Sequence, residues 1–143
     1  MKIEFTVPAV PVAQPRQRHR AVSANGRTFI QNYTSRTHPI QAFKATVQMA
    51  FAHANGRLLT GPLRCEMVFV MPRPKRLVFK TREMPRAHHV SKPDVDNLAK
   101  GCIDALSGLA FSDDTQISQC LIEKWIAAGD EQPHVLIRLE EIE

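Results

Sequence analysis

The chain has no long apolar run: its longest uninterrupted stretches are a few residues, such as Met67-Val68-Phe69-Val70-Met71, against the roughly 20 needed to cross a bilayer. Its first residues, Met1-Lys2-Ile3-Glu4-Phe5, carry an early acid and no apolar core segment. That argues against a secretory signal and makes a cytoplasmic protein the expectation. Cysteine is scarce: Cys65, Cys102 and Cys120 lie far apart and are odd in number. With no CxxC or other zinc spacing, they read as reduced, buried thiols rather than a metal or disulfide framework. There is no internal repeat, no low-complexity tail, no GxSxG elbow and no P-loop.

The 143 residues and 43% hydrophobic content suit one compact domain with its own core. The net charge of +5 is modest but uneven. Between Pro72 and Lys92 stand Arg73, Lys75, Arg76, Lys80, Arg82, Arg86 and Lys92 against the single acid Glu83, with His88 and His89 added. A second cluster, Arg16, Arg18, His19 and Arg20, follows Pro15. Such patches suit a polyanion through counterion release; a solvated loop is the plainer alternative.

Lys2 to Val7 alternates apolar and polar residues as a half-buried strand does. Pro8, Pro11 and Pro15 then predict an extended loop. Asn25-Gly26 is a turn signal, and Arg27 to Tyr33 a second strand. Thr37 is the expected N-cap of a helix with Pro39 in its first turn and Ile40, Phe43, Val47 and Phe51 on one face. That helix ends at Asn55-Gly56. A strand over Leu63 to Met71 stops at Pro72 and Pro74, and the basic stretch to Lys92 reads as a mobile loop. A second helix runs from about Asp96 to Ser107, capped by Gly108, with Leu98, Cys102, Ala105 and Leu106 on one face and Asp96, Lys100 and Asp104 opposite. Strands near Ile117 to Ile126 and His134 to Glu140 complete the order ββαβαββ, an α+β domain with a mixed sheet packed by two helices.

The chemistry concentrates in Asp94, Asp96, Lys100, Asp104, Asp113 and Asp114. Extended backbone at Asp94 and Asp96 would aim both carboxylates to one side just before the second helix. Clustered carboxylates without neighbouring Cys or His suit a hard ion such as Mg²⁺, which takes one or two carboxylates plus water and phosphate oxygens. The alternatives are ordinary: Asp96 or Asn97 as a helix cap, Asp113-Asp114 as a loop, Lys100 as a helical partner of Asp96. Asp104 lies about 12 Å along the helix from Asp96, so a supporting role is expected for it. His53 and His134 read as structural, and His88 and His89 as loop residues.

The segment KPDVDNLAKGCIDALSGLAFSDDTQI, residues 92 to 117, resembles the signature of the RusA family of Holliday-junction resolvases: Asp-x-Asp-Asn-Leu-x-Lys, then Asp-Ala-Leu, then Asp-Asp-x-Gln. Looser likeness extends through Pro11 to Arg18, Gly26 to Phe29 and Tyr33 to Thr37. The resemblance implies a small α+β homodimer that nicks four-way junctions symmetrically with Mg²⁺, for which Mn²⁺ substitutes. It further implies metal-binding carboxylates Asp94, Asp96 and Asp114, an essential Lys100, and Asp113 as a possible substitute ligand. The basic insertion before Lys92 departs from the shortest members. Arg16, Arg18, Arg20, Arg73, Lys75 and Arg76 are the expected contacts to the DNA backbone. A non-catalytic DNA-binding module, and a metal nuclease acting on flaps, single strands or RNA, are the competing readings.

Overall fold

The computed structural model describes residues 1–15, 18–33 and 38–143, with backbone alone for 18, 19, 32 and 33. Seven strands and two helices follow in the order β1 Lys2–Val7, β2 Arg18–Ala24, β3 Arg27–Tyr33, α1 Ile40–His53, β4 Leu63–Met71, β5 Ala87–His88, α2 Val95–Leu106, β6 Ile117–Ile126 and β7 His134–Glu141. The expected α+β class holds. The order gains β2, which the proline-rich stretch concealed, and the short β5. Strands β2 and β3 form a separate two-stranded ribbon; the other five make a mixed sheet in the order β1-β7-β4-β6-β5.

Strand β4 is central, antiparallel to β7 on one side and parallel to β6 on the other. Its inward residues Leu63, Cys65, Met67 and Phe69 are buried, while Arg64 and Glu66 on the opposite face stay partly exposed and pair with Glu140 and Arg138. One face of the sheet presents Ile3, Phe5, Val7, Leu63, Cys65, Met67, Phe69, Val135, Ile137 and Leu139 to the helices, and all are buried. Helix α1 answers with Ile40, Phe43, Val47 and Phe51, the residues its spacing predicted. Phe51 packs edge-on against Phe5, with ring centroids 5.7 Å apart. Pro39 occupies the N-cap position of α1, and the expected cap Thr37 lies outside the described residues.

Helix α2 begins one residue earlier than expected, at Val95, and buries Leu98, Ala99, Gly101, Cys102, Ala105 and Leu106. Gly101 lets it sit close, since a Cβ there would meet Ile40 Cδ1 at 3.1 Å. Gln48 Nε2 donates to the Ala105 carbonyl at 3.1 Å, and the backbone N–H of Gln14 to the Asn97 carbonyl at 2.9 Å, tying α2 to α1 and to the segment after β1. After α2 the chain turns at Gly108, whose φ of +86° suits glycine. Because α2 links β5 to β6, it runs back across the sheet and its first turn lies toward the carboxyl-terminal ends of β4 and β6.

The basic stretch is not the loose loop its composition suggested. Arg73 donates from Nε to the Leu77 carbonyl at 2.7 Å and from Nη1 to the carbonyls of Pro85 and Ala127 at 3.0 and 3.1 Å. Arg86 Nε donates to both carboxylate oxygens of Glu131 at 2.9 and 3.0 Å. The Arg86 guanidinium holds the Glu131 carboxyl down at about 2. Residues Ala87 and His88 then pair with Ile126 and Trp125. The stretch lacks apolar periodicity because main-chain carbonyls and one carboxylate, not a hydrophobic face, secure it.

The thiols also differ from expectation. Cys65 and Cys102 are buried, but Cys120 is exposed. Cys65 and Cys120 are paired positions on the parallel strands β4 and β6, and a hydrogen bond from Cys65 holds the Cys120 thiol down at about 7, while Cys65 itself is pushed up. A lowered value means that thiolate accumulates as pH rises through 7. Iodoacetamide is therefore expected to alkylate Cys120 first, with a rate midpoint near pH 7 that moves upward in Cys65→Ala. Equal reactivity of all three thiols in the folded protein would contradict the assignment.

Candidate active site

Helix α2 carries the acids at both of its ends. Asp94 is the N-cap, in extended backbone with φ −70° and ψ 146°, and Asp96 falls in the first helical turn. The two come together as N-cap and first-turn positions, not as alternating residues of an extended segment. Both line one open pocket of about 790 Å³ with His88, His89, Val90, Ser91, Lys92, Val95 and Lys124. The N-cap is Asp94, so Asp96 and Asn97, the caps the sequence suggested, lie inside the helix. Asp94 makes no side-chain capping hydrogen bond, and its carboxylate is left facing the pocket beside the positive end of the helix dipole.

Lys124 sets the geometry of this end. It lies on β6, and its Nζ donates to the carbonyls of Ser91 and Pro93 at 2.6 and 2.8 Å. Those bonds fix the two residues that lead into Asp94. Sequence reasoning passed over Lys124, because nothing local links it to a turn some 30 residues earlier. Next to it, His89 is held below the ordinary imidazole range, first by burial and then by the Lys124 charge. Its Nδ1 is buried without a hydrogen-bond partner among the described residues. Both effects favour the neutral imidazole, and His89 lines the pocket with Asp94 and Asp96.

At the other end, Asp113 and Asp114 divide their tasks. Asp113 Oδ1 accepts from the Thr115 N–H at 2.9 Å, and Gln116 Oε1 accepts from the N–H groups of Ser112 and Asp113 at 2.8 and 3.2 Å. This capping box starts a single-turn 3-10 helix, Asp114–Gln116, that feeds β6. Gln116 Nε2 also donates to the Gly61 carbonyl at 3.1 Å, anchoring the turn to the start of β4. Asp113 and Gln116 are architecture. Asp114 remains exposed, and its carboxyl is raised by its hydrogen bond with Asp113 and by the nearby charges of Asp113 and Asp104, while the Thr115 N–H lowers Asp113.

The expected site residues are therefore in two groups. Asp94 and Asp96 share the pocket at the head of α2, whereas Asp114 neighbours Asp104 toward its foot, the helix being 12 residues or about 18 Å long. Among the described residues no three His, Cys, Asp or Glu side chains are grouped to hold one ion. The pair at the head fits Mg²⁺ by its all-oxygen, exposed donors and by the number of carboxylates that ion ordinarily takes. Lys100 is exposed on the face between the two ends and makes no carboxylate ion pair within 4 Å among the described residues. The helical partnership with Asp96 is not formed. Lys75 and Arg76 are exposed on a 3-10 turn, Lys75–Leu77. Arg73 instead uses its donors on carbonyls, and Arg16 lies outside the described residues.

Paired carboxylates at a helix head, with exposed cations nearby, are a donor set able to take a divalent ion and a phosphate oxygen. The model of the family named endodeoxyribonuclease RusA matches residues 8–140, and the chain belongs to that family. It is also 30% identical to the uncharacterized protein YqaN of Bacillus subtilis (strain 168), over 98% of this chain and 96% of that protein.

The Lys124 charge lowers the His89 imidazole, so removing it must raise that value. In Lys124→Met, the His89 titration followed by NMR is expected to move up toward the ordinary value while burial keeps it below 6.5. An unmoved titration would show that the two groups do not face each other.

Proposed function

We propose that this protein is a Mg²⁺-dependent endonuclease that resolves four-way DNA junctions by paired symmetric nicks, acting as a homodimer in recombination and repair. The observation that carries the reading is the uncapped Asp94–Asp96 pair at the head of α2, in a chain of an endodeoxyribonuclease family. Asp94 and Asp96 are the proposed ligands, and the bound Mg²⁺, or Mn²⁺ in its place, would supply an activated water and neutralise phosphate charge.

The chain's own residues do the rest. Lys100, one turn along the exposed face from Asp96 and without a carboxylate partner among the described residues, offers its ammonium to a phosphate oxygen as charge develops. His89, neutral and beside the pair, offers a ring nitrogen to a water or phosphate group. Lys124 lines the same pocket, but its ammonium is engaged by the Ser91 and Pro93 carbonyls and so positions Asp94. Lys75, Arg76 and the arginines of β2, Arg18 and Arg20, serve as backbone contacts that position DNA without reading its sequence. Asp114 is the proposed third carboxylate, with Asp113 keeping its turn in place and Asp104 beside it.

Asp96→Asn is expected to keep junction affinity and to lower nicking by at least about a hundredfold. Asp114→Asn should fall as far if both ends of α2 serve one reaction. Asp113→Asn should lose less activity, because an amide oxygen still accepts from Thr115. The assay is strand-specific cleavage of a labelled synthetic junction in Mg²⁺ and in EDTA; wild-type rates retained by Asp96→Asn would reject the site, and binding without nicking under any divalent ion would make the protein a DNA-binding module.

A further inference from the structure

Beyond the phosphate contacts proposed for the arginines of β2, the construction of the β2–β3 ribbon is itself unusual. It turns at Asn25-Gly26, both with positive φ of 52° and 72°, as a tight hairpin demands. None of its described side chains belongs to the core cluster. Yet Phe29 is 49% exposed and Ile30 74% exposed. They lie on opposite faces, since register pairs Val22 with Phe29 and Ala21 with Ile30. A two-stranded ribbon with apolar residues on both faces is marginal in water by itself.

Its charge identifies what covers it. The 61 residues between Glu4 and Glu66 contain no Asp or Glu. On the Phe29 face, Arg20 with its partner Gln31 stands on one side and Arg27 on the other; Arg20 Nε donates to Gln31 Oε1 at 3.0 Å. The other face carries Ile30 flanked by the Ser23–Thr28 hydroxyl pair, 3.2 Å apart. Arginines beside an exposed aromatic ring match single-stranded or unstacked nucleic acid, where phosphates meet the cations and a base face meets the ring. Intact duplex hides its base faces, and inserting an apolar wedge into it costs unstacking. A branch point offers unstacked bases at lower cost.

We propose that the β2–β3 ribbon is the branch-point contact, with Phe29 and Ile30 against unstacked bases and Arg20 and Arg27 on the flanking phosphates. This rests on the junction reading above and adds the element that tells a branch from a duplex.

The test is equilibrium binding by fluorescence anisotropy in EDTA, so that nicking plays no part. Wild type, Phe29→Ala/Ile30→Ser and Arg20→Gln/Arg27→Gln are titrated with a four-way junction and with a duplex of the same arm sequence. The apolar double variant should lose about tenfold or more on the junction and little on the duplex, with unchanged melting temperature and unchanged mass in solution. The arginine variant should weaken binding and flatten the log–log salt slope by about two. Junction affinity equal to wild type in the apolar variant, or equal losses on junction and duplex, would overturn the assignment. So would a fall in mass or a collapsed melting temperature, which would mean that Phe29 and Ile30 pack on a second copy or on the body. A wild-type protein that binds junctions but cuts nothing would defeat the catalytic reading and leave this one standing.

Discussion

The ammonium of Lys124 sits between the carbonyl oxygens of Ser91 and Pro93, and the placement of the acidic pocket depends on it. Strand β6 is fixed to the central strand β4, so Lys124 is a rigid anchor. The residues it holds lead directly into Asp94, and the apolar face of α2 fixes the helix direction from there. A carboxylate pair on a free loop would scatter by mutual repulsion. Here one end is tied to the sheet and the other is set by buried Leu98 and Cys102, so the repulsion is resisted by packing. Charge-assisted hydrogen bonds of this kind are stronger than neutral ones, and two from a single ammonium hold the residues just before the helix start.

The molecule also separates its charges along the chain. The acid-free stretch from Phe5 to Cys65 supplies the ribbon and α1, whereas the carboxylates gather on α2, the turn before β6 and the last strand. Cations used for architecture and cations left exposed are distinguishable by their partners. Arg73, Arg86 and Lys124 bind carbonyls or a carboxylate within the fold. Lys75, Arg76 and Lys100 do not secure it through carboxylate pairs among the described residues. A net positive charge of the first kind builds a scaffold; one of the second kind attracts phosphate.

Much of the fold was legible because period and punctuation agreed. Ile40, Phe43, Val47 and Phe51 marked α1, the alternation in Val135, Ile137 and Leu139 marked β7, and Gly108 closed α2. Strand β2 was not legible, since it shows no apolar period and Arg20, Ala21, Ser23 and Ala24, on both of its faces, are exposed. The tethered basic stretch was missed for a related reason: backbone carbonyls are invisible in a side-chain pattern. At the site, Asp94 and Asp96 were rightly placed in one neighbourhood, though by helix-start geometry and not by strand alternation. That Asp113 and Gln116 form a capping box could have been read from their three-residue spacing. That Asp114 lies with Asp104 could not, because it follows from the path of α2 back across the sheet.

The central claim is that the head of α2 binds a dication through Asp94 and Asp96. Adding substoichiometric Mn²⁺ to ¹⁵N-labelled protein measures this without DNA or turnover, through paramagnetic broadening of nearby amides. Signals of Asp94, Val95, Asp96 and Asn97 should vanish first and return with excess Mg²⁺, and Asp96→Asn should abolish the selectivity. Uniform broadening, or broadening confined to the Asp104–Asp114 end, would contradict the account.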